Sequence, residues 1–185
     1  MALAPGSLLW PTSFTSTRFQ LEHILNFYRY NSDVRKKYLA AMEKLPWEEV
    51  VKNRGASFQS IRNVFVHVLN AYRYWFQYAI RDNLKEYKAI KLDDCGSIQD
   101  VRKYEAEVDA MVMSLIENLR EDDLQKVYVI HAVDTAYHVS MEAILMHMIE
   151  EELQHRGEIN CMLWQQHVDP PILEYGQWLG QWVEL

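Results

Sequence analysis

Apolar residues recur every three or four positions along four long stretches of this chain, a period that commits it to packed helices. The first stretch, about 19–45, carries Leu21, Ile24, Leu25 and Tyr28, then Phe27, Tyr30, Val34, Tyr38 and Ala41. Pro46 ends it, because its ring cannot continue a helix. The second, about 58–81, follows a cap at Ser57 or Ser60 and turns Ile61, Val64, Phe65, Val68, Tyr72, Trp75 and Ala79 inward. After a polar segment ending in the turn Asp93-Asp94-Cys95-Gly96, Ser97 caps the third, which runs to about Asn118. Val101, Tyr104, Val108, Met111, Val112, Leu115 and Leu119 form its inner face. The fourth opens at Ser140 and reaches about residue 167.

Between the third and fourth stretches the period changes. Val127, Val129, Val133, Thr135, Tyr137 and Val139 nearly alternate, which predicts a short hairpin or an extended crossover over 123–139. Pro170-Pro171 then breaks the chain, and a short terminal helix places Leu173, Trp178, Leu179 and Trp182 over one end. The expected fold is all-α: a four-helix bundle with a long crossover before the last long helix and a short C-terminal helix. Residues 1–18 are rich in Pro, Ser and Thr and read as an irregular lead-in; 19–185 is one domain's length.

Charge narrows the function. With 26 Asp+Glu against 19 Lys+Arg the net charge is −7, the wrong sign for a nucleic-acid phosphate surface. No apolar run approaches a membrane span, and the start lacks the charged and apolar regions of a signal peptide. Two cysteines, Cys95 and Cys161, make no disulfide framework, so a cytoplasmic protein is expected.

The fourth helix holds an anomaly. Its inner seam reads Ile144, Met148, Glu151, His155, Ile159, Met162, and two of these positions are ionisable. A buried glutamate is costly unless paired or bound to a cation. His155 lies one turn after Glu151 on the same face, so the pair is half a metal site or a helix-edge ion pair. Glu150, Glu151 and Glu152 are consecutive, so at least one faces water. His67, beside the apolar seam of the second helix, is either a hydrogen-bonded core histidine or the third ligand. Two histidines and a glutamate with one open position would suit zinc or another divalent metal of mixed N/O preference.

Rival signatures are weaker. Glu152-Leu153-Gln154-His155 is a Glu-x-x-His motif, but a di-iron bundle needs it twice. His-Glu-x-x-His, a Gly-rich phosphate loop and a Gly-x-Ser-x-Gly elbow are absent. Cys161, six residues past His155, is rotated off the ligand face, and Cys95 falls in a predicted loop where it could be exposed. His147 runs toward the helix flank and His23 toward a helix surface. Arg156 can pair with Glu152 four residues back, and Gly157 would permit close helix approach. Tyr72, Tyr74, Trp75 and Tyr78 serve core or dimer packing, or line a pocket.

His155-Arg156-Gly157-Glu158-Ile159 resembles the His-x-x-x-His-Arg-Gly-Gln-Ile segment of the last bundle helix in the DinB/YfiT-like superfamily. Ser60-Ile61-Arg62-Asn63-Val64-Phe65-Val66-His67 resembles the family's second-helix segment that ends in a ligand, and the likeness covers about 19–175. Glu151 stands where many members have His, as in the thiol-dependent maleylpyruvate isomerases, and Glu158 replaces Gln. The resemblance implies a metal, most often zinc or nickel, held by His67, Glu151 and His155. It further implies a small-molecule substrate, in several members a low-molecular-weight thiol, and a homodimer. The extra C-terminal domain that supplies an arginine in the isomerase branch has no counterpart in these 185 residues. Two functions follow: a thiol-dependent S-transferase or small-molecule hydrolase, or a non-catalytic dimerisation bundle with a vestigial or structural metal site.

Overall fold

The computed structural model describes residues 19–131, 135–171 and 173–180. The predicted lead-in 1–18, Val133 and Trp182 lie outside them. The described chain is mostly helical, with α1 (Phe19–Met42), α2 (Trp47–Val51), α3 (Ile61–Arg73), α4 (Ile98–Ile116), α5 (Met141–Trp164) and α6 (Tyr175–Leu179). The mostly helical expectation holds, and the crossover adds a two-stranded antiparallel sheet, β1 (Val127–His131) and β2 (Ala136–Ser140), paired from Val127↔Ser140 to His131↔Ala136. Of the two forms predicted for the crossover, the hairpin forms. Ile130 is buried, while Val127 and Val129 on the alternate positions are exposed.

Three serines start three of the long helices. Ser60, Ser97 and Ser140 are extended, and each side chain accepts the backbone N–H three residues on. Ser60, not Ser57, is therefore the cap of α3. The four long helices pack cyclically: α1 on α4 and α5, and α3 on α4 and α5. Tyr28, Leu39, Leu69, Tyr72, Ile116, Ile144 and Leu145 fill the space between them. Full burial of such side chains contributes roughly 1.5–3 kcal/mol each. Leu173 and Trp178 pack on this core as predicted, whereas Leu179 is exposed.

The helical run predicted to 81 changes pitch. α3 passes into a π turn at Tyr74–Tyr78 and a 3₁₀ turn at Ala79–Arg81. The wider turn shifts the inward phase, so Phe76 is buried and Trp75, expected inside, is only half-buried. Cys95, which its predicted loop would have allowed to be exposed, ends a 3₁₀ turn at Leu92–Cys95 and is fully buried. Burial pushes its thiol pKa up.

The core also contains charge. Arg35 of α1 donates to Glu105 (3.2 Å) and Asp109 (2.6 Å) of α4 and to Glu152 (2.8 Å) of α5. The Tyr72 hydroxyl of α3 donates to the same Glu152 oxygen at 2.6 Å. One guanidinium thus ties all four long helices, directly or through Glu152.

Candidate metal centre

The seam phase of α5 decides which glutamate goes where. Glu152, about 100° round the helix from Glu151, is the one in the core. Glu150 is exposed, and Glu151 lies partly exposed on the flank toward α3. Sequence reasoning put Glu151 on the inner seam; the structure moves it to the rim, and there it meets both histidines. His67 Nε2 is 2.9 Å from Glu151 Oε1, and His155 Nε2 is 3.2 Å from the same oxygen. One ligand atom from each residue lies within 4.8 Å of the others, the only such group of three among the described residues.

The donor set is consistent with a cation. Atoms bound about 2.0–2.2 Å from one ion lie roughly 3–4 Å from each other. The other nitrogen of His155, Nδ1, is 2.9 Å from Glu158 Oε1. An ionised carboxylate only accepts, so Nδ1 carries the proton. Nε2 faces a second carboxylate, Glu151, which likewise only accepts. Either a second proton or a metal ion must lie between them.

Glu158 is itself held ionised. Burial raises its pKa, but the Ser57 hydroxyl and N–H and the bond to His155 outweigh this and leave it below the ordinary carboxylate range. Ser57 donates to Glu158 Oε2 from Oγ (2.6 Å) and from its backbone N–H (3.2 Å). Phe58 follows, stacked on His67 at 3.8 Å and edge-on to His155 at 5.5 Å. Gly55 (φ 75°) and Gln59 (φ 74°) adopt left-handed backbone to fold this segment over the imidazoles. Phe58 is a residue that sequence reasoning missed, because no spacing relates it to the ligands. The role of Glu158 was legible in its position three residues after His155.

The remaining candidates lie elsewhere. His147 is exposed and meets Trp75 edge-on at 5.3 Å, outside the group of three. His23 is exposed on α1. Cys161 is exposed, turned away as predicted. Glu152 serves Arg35 and Tyr72, so the Glu-x-x-His reading has no metal role. Arg156 lies 3.7 Å from Glu152, as expected of a pair, but buried, and it donates to Asn31 of α1. A Cβ built on Gly157 would meet nothing within 4 Å among the described residues, so none of them makes the close approach expected there.

Comparison with known proteins bears on the fold and the family. The chain is 23% identical over 137 residues to the uncharacterized protein YizA of Bacillus subtilis, covering 74% of this chain and 84% of that protein. A DinB-like protein of Bacillus cereus has a similar fold, with a TM-score of 0.62 at 16% identity, spanning 85% of this chain and 100% of that one. The DinB-like protein YjoA of Bacillus subtilis gives 0.56 at 14% identity, over 84% and 96% of the two chains. The sequence profile of the DinB family matches residues 15–181, nearly the whole chain, and the chain therefore belongs to the DinB family.

Proposed function

We propose that this chain is a divalent-metal-dependent enzyme, a four-helix bundle of DinB type folded as one domain over 19–185, with His67, Glu151 and His155 as ligands. The observation that carries the reading is that Nε2 of His67 and Nε2 of His155 both lie against Glu151 Oε1, at 2.9 and 3.2 Å, while Nδ1 of His155 is engaged by Glu158. Zinc or nickel at this site supplies a Lewis acid that activates an external water or a low-molecular-weight thiol. The chain's own part is positioning. Glu151 brings the negative charge, Phe58 fixes the plane of His67, and Glu158 with Ser57 fixes the tautomer of His155. Neither cysteine competes as a nucleophile: Cys95 is buried and Cys161 faces away. The reaction class is thiol-dependent S-transfer or hydrolysis of a small molecule, and two free cysteines suit a reducing cytoplasm.

A second reading, a homodimer whose role is assembly, draws on the outer face of α5. Met146, Leu153 and Trp164 are exposed there on one stripe, with Gly157 between them. Dimerisation is compatible with either function.

The test is metal content of the untagged protein by mass spectrometry beside His155→Ala. The expected result is about one zinc or nickel per chain, lost in the variant. Protein that takes up no metal after incubation with either ion overturns the enzyme reading and leaves the assembly role.

A further inference from the structure

A cleft of ≈300 Å³ is lined by His67 and Glu151 together with Tyr74, Trp75, Tyr87 and His147. Resting on the metal reading above, we propose that this cleft binds a small, flat aromatic molecule whose only charge is on the group it presents to the metal.

Position comes first. A molecule in this cleft touches two of the three ligands, so its head group reaches the site while its body lies along the rings. The neighbouring cleft of ≈360 Å³, beside Ser57 and Phe58, includes only His67 of the three. Its volume places the proposed cleft at the small end of ligand sites, about the size of one substituted ring.

The wall is built for flat apolar surface. The π turn at Tyr74–Tyr78 takes Phe76 into the core and leaves Trp75 at the cleft. π turns inside helices occur often at functional sites, where they re-aim side chains. Tyr74 meets Trp75 at 5.4 Å and Tyr87 at 5.2 Å, and Trp75 meets His147 at 5.3 Å. All three contacts are edge-to-face, with interplanar angles of 87°, 86° and 72°. The rings brace each other without stacking in parallel, and offset stacking or edge contact is what an aromatic ligand would add. Tyr87 is anchored from behind, its hydroxyl donating to the Asn70 carbonyl at 3.3 Å.

Charge selects against anions. Among the described residues no lysine or arginine lines the cleft, and Glu151 brings a negative charge. A carboxylate or phosphate on the ligand's body would lose its water with no cation to receive it.

The experiment is calorimetric titration of zinc-loaded protein with acetohydroxamate, benzohydroxamate and 4-carboxybenzohydroxamate, which share one zinc-binding head. Benzohydroxamate is expected to bind at least about tenfold tighter than acetohydroxamate, and the carboxylated ring several-fold weaker than the plain one. Trp75→Leu is expected to bring the ring preference toward unity while zinc content and acetohydroxamate affinity stay unchanged; Tyr87→Ala is the second variant should the first fail to fold. Equal affinities for the first two ligands, an unchanged preference in the variants, or preferred binding of the carboxylated ring overturns the proposal and leaves the metal reading standing. Protein that binds no zinc overturns both.

Discussion

At the scale of single residues, the sequence singled out His67, Glu151 and His155, which the structure brings together, but not the reason for their order. Three consecutive glutamates look alike in the sequence. Arg35, 117 positions from Glu152, chooses among them by donating to it, and Tyr72 donates as well. No local pattern reports such a partner. The same cluster carries a pH signature through Glu105. Burial pushes its carboxyl above the ordinary range, Asp109 adds to the shift, and Arg35 opposes it. A carboxyl raised in the folded state holds its proton to higher pH than in the unfolded chain. Its contribution to stability is therefore full below the unfolded value and is lost as pH rises through the folded one. Glu105→Gln keeps an acceptor for Arg35 Nε and has no charge to bury. Urea midpoints from the glutamate range upward should show wild type losing ground to the variant as pH rises. Parallel curves would mean that Glu105 ionises freely in the folded protein.

At the scale of elements, three serine caps and four apolar stripes were readable because their causes are local. The hairpin was readable only as one of two options, because alternation reports an extended strand but not its partner. The π turn left no readable mark: Tyr74-Trp75-Phe76-Gln77-Tyr78 continues the helical pattern, and tertiary packing of Phe76 decides the phase. The cap of α3 is testable separately from the site. Ser60 is buried and accepts from the N–H of Asn63 at 3.2 Å. Ser60→Ala should cost about 1 kcal/mol. For a chain of this length that lowers the melting temperature by roughly 2–4 °C. Metal stoichiometry should be unchanged, because His67 lies two turns further along α3. Loss of metal at an unchanged melting temperature would contradict this division between cap and site.

At the scale of the whole molecule, α5 divides its labour between opposite faces. One face carries Met148, Glu152 and Ile159 into the core, and its flank carries Glu151 and Glu158 to the site. The other face leaves Met146, Leu153 and Trp164 exposed, 49%, 48% and 58% respectively. Gly157 stands in that stripe. Mid-helix glycine costs about 1 kcal/mol relative to alanine. Among the described residues nothing within 4 Å would resist a Cβ there. A second copy packed across the stripe would bring a helix close to this point and give the missing Cβ a use. Gly157→Ala should therefore act in opposite directions on two observables. The dilute monomer should melt higher, since only helix propensity changes. Self-association by sedimentation equilibrium should weaken, since the added methyl holds the two helices apart. Association that is unchanged while the monomer is stabilised would move the contact away from α5 and leave Gly157 without a packing role in either state.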